Sequence, residues 1–102
     1  GGETVRAREV LVNTWEGVER LFRILRESRH ATLDVETSGL DWRKNHVVGW
    51  VITPYGEDSM YVPVRHLGGG NLPGCQVPVT PEGWKGDLHP FEIELAKIAK
   101  EV

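Results

Sequence analysis

Leu33-Asp34-Val35-Glu36-Thr37-Ser38-Gly39-Leu40-Asp41 alternates apolar and acidic residues, then breaks at Ser38-Gly39. In an extended strand, residues i and i+2 share a face. Leu33 and Val35 are therefore predicted to face a core, while Asp34 and Glu36 project together from the other side. Two carboxylates placed that close repel one another unless a cation or a shared proton offsets the charge. A divalent metal is the simpler solution. The plain alternative is the solvated polar face of an amphipathic edge strand.

Working upstream, Thr14 to Arg29 places Val18, Leu21, Phe22 and Leu25 at i, i+3, i+4 and i+7, the stripe of an amphipathic helix. Asn13 or Thr14 suits the N-cap, Glu16 sits in the first turn, and Trp15 is expected to pack at the helix start. Arg20, Arg23 and Arg26 lie mostly off the stripe and read as a solvated face. The segment Ala31 to Val35 then reads as a central strand.

Downstream, His46 to Thr53 alternates as a second strand with Val48, Trp50 and Ile52 on one face. Gly49 in its interior predicts a close backbone approach or a bulge. The turn Pro54-Tyr55-Gly56-Glu57-Asp58 leads into a third strand, Ser59 to Val64. Three strands joined by short turns favour an antiparallel meander. Residues 67–88 lose periodicity and collect glycine and proline, a loop of about twenty residues, long enough to be functional. Its Gly68-Gly69-Gly70-Asn71 lacks the Gly-Lys-Ser/Thr ending of a phosphate-binding loop. His89-Pro90 then opens a second helix with Phe91, Leu95 and Ile98 on its buried stripe.

The order Asp34-x-Glu36-Thr37-x-x-Leu40, then Val47-Val48-Gly49-Trp50-Val51-Ile52, then Tyr61-Val62-Pro63-Val64-Arg65-His66 resembles the DEDD-type 3′–5′ exonucleases. Within that family it is most similar to the proofreading domain of DNA polymerase I-type (family A) enzymes, over residues 14–66. The resemblance implies an α/β, ribonuclease H-like fold, here partial: a helix, a three-stranded antiparallel meander, a long loop and a helix. It also implies two further carboxylate motifs, Asn-x-x-x-Asp and a later Tyr-x-x-x-Asp or His-x-x-x-x-Asp. Neither is present, since Asn13, Asn45 and Asn71 are followed four residues later by Gly17, Gly49 and Cys75, Tyr55 and Tyr61 by Ser59 and Arg65, and His30, His46, His66 and His89 five residues later by Val35, Val51, Asn71 and Glu94. Residues 1–102 therefore read as one domain resembling the N-terminal half of an exonuclease, inactive alone. Such a half would expose an edge and a face that the missing half covers, and would be marginally stable or be held by a partner or a self-associated copy.

What the resemblance implies chemically is hydrolysis of the 3′-terminal phosphodiester of single-stranded DNA with two Mg²⁺ or Mn²⁺ ions. By the same resemblance, Asp34 and Glu36 are the metal-binding and catalytic carboxylates. Thr37 positions the terminal nucleotide, and Leu40 wedges between the last two bases. RNA remains a possible substrate. A polymerase domain is the implied neighbour, and DNA replication the implied setting.

Composition bounds the other classes. A chain of 102 residues can build one core, burying about two-thirds of its unfolded surface. The net charge of −3 carries no run of like charges, so no general basic nucleic-acid-binding face is evident. The single Cys75 cannot form an internal disulfide, and the default setting is cytoplasmic. No membrane span or signal peptide is legible. The four histidines show no zinc-ligand spacing. Trp42, beside Arg43 and Lys44, could stack on a base, and His66 could touch substrate, though a partly buried tryptophan and a hydrogen-bonded structural histidine are the simpler readings. Three alternatives stand beside the exonuclease: a noncatalytic nucleic-acid-binding or structural module on the same half-fold, an RNase D-like ribonuclease fragment, and an unrelated antiparallel α/β domain that matches by accident.

Overall fold

A computed structural model of the chain describes residues 9–39, 45–74 and 88–101. Its elements run β1 (Glu9–Leu11), α1 (Trp15–Ser28), β2 (Ala31–Thr37), β3 (Val47–Pro54), β4 (Ser59–Pro63) and α2 (Pro90–Glu101). The domain is α/β, with a mixed four-stranded sheet in the order β1-β4-β3-β2. The expected meander is present, because β2 pairs antiparallel with β3 and β3 with β4. What the sequence did not reveal is β1, which runs parallel to β4 with Glu9 opposite Ser59 and Leu11 opposite Tyr61. Three residues are too few to register as a periodic strand.

Helix α1 forms where its stripe and caps agree. Thr14, in extended conformation, accepts a hydrogen bond from the Gly17 amide at 3.1 Å, satisfying one of the orphan amides of the first turn. The helix ends at Arg29, which adopts a left-handed φ of 62° and donates its amide to the Leu25 carbonyl at 3.0 Å. Val18, Leu21, Phe22 and Leu25 are buried as predicted. They meet Phe91, Leu95 and Ile98 of α2 and, from the sheet, Ile52 and Val62, with Val64 just beyond β4. Phe22 and Phe91 stack with ring centroids 5.5 Å apart.

The core therefore lies between the two helices and one face of β3 and β4. Strand β2 departs from expectation. It is an edge strand among the described residues, and all seven of its residues are exposed. Leu33 and Val35 do lie on the helix-side face, opposite Ile52 and Trp50, yet they remain 45% and 39% exposed. The alternation set the face correctly, but the helices cover β3 and β4 and leave β2 bare. Beside it, Leu25, Leu33, Leu95 and Ile98 line an open groove.

A polar knot closes the α2 end of the core. His89 caps α2, its Nδ1 accepting from the Phe91 amide at 3.0 Å, while Glu92 accepts the His89 amide at 2.9 Å. This reciprocal arrangement is a capping box. Glu92 also pairs with the buried Arg65 and accepts from the Trp50 indole at 3.1 Å. Arg65, 1% exposed, donates further to the Val47 carbonyl at 3.0 Å. Trp15 packs at the start of α1 as expected, stacking on His89 and donating to the Pro73 carbonyl.

Candidate functional site

Strand β2 presents Asp34 and Glu36 on the face of the sheet opposite the helices, since their partners Val51 and Gly49 face away from the core residues Ile52 and Val62. At a strand rise of about 3.3 Å per residue, the two positions lie roughly 6.6 Å apart along β2. Both are exposed. One oxygen of Asp34 accepts the Val35 amide at 2.8 Å, which orients the carboxylate along its own strand.

Thr37 lies at an irregularity. The register shifts between Glu36 and Thr37, so Thr37 pairs with Val47 rather than Val48. Its hydroxyl donates to the Gly39 carbonyl at 2.8 Å. Bulges of this kind recur beside functional sites, where they terminate or re-aim a strand. Across the connection, Ser38 and His46 close the base, with the Ser38 amide donating to the His46 carbonyl and the His46 amide to the Ser38 hydroxyl. Leu40, Trp42, Arg43 and Lys44 lie outside the described residues, as do Cys75 and most of the 67–88 loop.

Next to the carboxylates stands a pair that sequence reasoning did not assemble. The Tyr61 hydroxyl and His66 Nε2 are hydrogen-bonded at 2.5 Å, with the rings edge to face. Asn71 clamps the His66 backbone from both sides, accepting its amide at 2.7 Å and donating to its carbonyl at 2.9 Å. Burial, and after it the negative charges of Glu36 and Glu9, push the Tyr61 hydroxyl up to about 12, so it stays protonated. Gly49 explains the geometry, because a Cβ there would collide with the Tyr61 hydroxyl. The predicted close approach at Gly49 is thus to a side chain on the neighbouring strand. A tyrosine two positions along from the residue facing a strand-interior glycine was the available signal.

Of the other polar candidates, His66 is the hydrogen-bonded structural histidine described above. Arg65 points to the opposite side, into the buried pair with Glu92.

An all-oxygen donor set suits a hard divalent cation, and Asp34 and Glu36 supply two such groups on one open face. No cluster of three or more metal-ligating side chains occurs among the described residues. The pair fits as part of a cation site rather than a closed cage. No helix among the described residues is long and apolar enough to cross a membrane. No protein-family model matches the chain, and no curated protein matches it significantly.

Proposed function

We propose that this chain contributes the opening half of a ribonuclease H-like 3′–5′ exonuclease domain, similar to the proofreading domain of DNA polymerase I-type enzymes, that acts on the 3′ end of single-stranded DNA. The observation that carries this reading is the placement of Asp34 and Glu36 on one open face of β2, antiparallel to β3 and flanked by the bulge at Thr37. A helix before this strand and another after the meander agree with the architecture the resemblance implies. Among the described residues β2 forms the outer edge of the sheet, which leaves room for a further strand carrying the remaining carboxylates.

In this reading Asp34 and Glu36 hold the divalent cations, Mg²⁺ or Mn²⁺, from one side. When bound, such cations supply an activated water and stabilise charge on the leaving 3′ oxygen. Glu36 additionally accepts from the terminal 3′ hydroxyl. Thr37, beside the bulge, positions the terminal nucleotide. Leu40 stacks between the last two bases, a contact indifferent to sequence because every base has a stacking face.

Binding of a short fluorescent DNA strand with a free 3′ hydroxyl, measured with Ca²⁺ present, tests the proposal. Tighter binding than to the same strand ending in a 3′ phosphate is expected, and Asp34→Asn with Glu36→Gln should erase the difference. Equal binding of the two strands by the unaltered chain would overturn it.

A further inference from the structure

A glutamate on an exposed strand swings freely, and Glu36 would be a poor ligand without something to hold its carboxylate. Gly49 is its direct partner across the β2–β3 ladder. Opposed Cβ positions on paired strands lie about 5 Å apart. The Tyr61 hydroxyl occupies the place where a Gly49 Cβ would stand. It therefore lies about one such spacing from the Glu36 Cβ, inside the reach of the Glu36 carboxylate.

A tyrosine hydroxyl offers one proton and two lone pairs. When His66 Nε2–H donates to the Tyr61 oxygen, the Tyr61 proton is left for a second acceptor. Glu36 is the carboxylate placed to take it. The Asn71 clamp fixes His66, His66 fixes Tyr61, and the bare backbone of Gly49 keeps the path to Glu36 clear.

We propose that Tyr61, held by His66, is a positioning residue for Glu36, donating a hydrogen bond that turns the glutamate toward the cation position beside Asp34. The proposal rests on the reading of Glu36 as a metal ligand. Partners of this outer kind orient a ligand without touching the metal, and their loss typically weakens binding ten- to a hundredfold.

Two measurements on the full chain test it. In the absence of metal, the ¹³Cζ resonance of Tyr61 should move in Glu36→Gln and stay still in Glu57→Gln, a carboxylate on the exposed β3–β4 turn. The other tyrosine, Tyr55, is largely exposed and serves as an internal reference. With Mn²⁺ followed by electron paramagnetic resonance, Tyr61→Phe and His66→Ala should lose roughly tenfold in affinity at a temperature where both variants remain folded, and His66→Gln, whose amide can replace Nε2–H, should recover most of it. A Tyr61 resonance blind to Glu36→Gln, or wild-type Mn²⁺ affinity in Tyr61→Phe, overturns the proposal. Absence of Mn²⁺ binding in the unaltered chain overturns the metal reading instead, and the Tyr61–Glu36 contact is then decided by the resonance alone.

Discussion

Gly49 and Tyr61 are interlocked across adjacent strands, the hydroxyl of one filling the space a Cβ on the other would need. The tyrosine pairs with Val51, so its ring leans diagonally along β4 to reach that space. Gly49→Ala should evict the Tyr61 side chain and break its bond to His66. The expected cost is about 1–3 kcal/mol, as for other overpacked sites. Chemical denaturation together with the Tyr61–His66 nuclear Overhauser contacts checks it. An alanine variant of unchanged stability with that contact intact would contradict the geometry.

Glu92 holds three partners at once: Arg65, the Trp50 indole and the His89 amide. Removing it as Glu92→Ala takes away the carboxylate that the buried Arg65 guanidinium pairs with. Breaking a buried pair from one side costs about 3–5 kcal/mol, a large share of the stability of a small domain. The same change at the exposed Glu94, which pairs with Lys97, should cost under about 1 kcal/mol. Comparable losses in the two variants would refute the ranking.

Burial holds His89 below its ordinary value of 6.5, against the opposing pull of its bond to the Leu72 carbonyl. Its neutral form is the one the fold uses, Nδ1 accepting from Phe91 and Nε2–H donating to Leu72. A group whose folded value is lowered gives stability that is fully present above its unfolded value and is lost as pH falls through the folded one. The stability advantage of the unaltered chain over His89→Asn, which retains an N-cap, should therefore be largest above pH 6.5 and shrink on acidification. Urea denaturation at a series of pH values measures it, and an advantage that grows with acid would show the sign to be wrong.

Arg29 is the one described non-glycine residue with positive φ, at the C-cap of α1. Left-handed backbone costs a side-chain-bearing residue about 1 kcal/mol that glycine does not incur. Arg29→Gly should raise stability by about that amount, read as an increase in melting temperature. A decrease would mean that the arginine side chain outweighs the strain of its backbone.

Both helices, the three-stranded meander and the shared face of Asp34 and Glu36 were legible in the sequence because each rests on local periodicity. Thr14, the apolar stripe from Val18 to Leu25 and Pro90 are signals carried within a few residues. Strand β1 was not legible, because Val10 and Leu11 owe their strand state to a parallel partner about fifty residues away. The exposure of Leu33 and Val35 was equally hidden, since alternation reports a face and not whether anything covers it. The Arg65–Glu92 pair and the Tyr61–His66 pair depend on tertiary contact, although His89-Pro90-Phe91-Glu92 carried the capping-box spacing that would have located one end of the first.

The account stands on Asp34 and Glu36 sharing a cation, and substoichiometric Mn²⁺ tests that most directly through the amide resonances it broadens. The residues broadened first should be Val35 and Glu36 on β2 and Gly49 and Val51 across the ladder, with the effect lost in Asp34→Asn. Broadening centred elsewhere, such as Glu94 and Glu101 on α2, or a pattern unchanged by Asp34→Asn, would contradict the account.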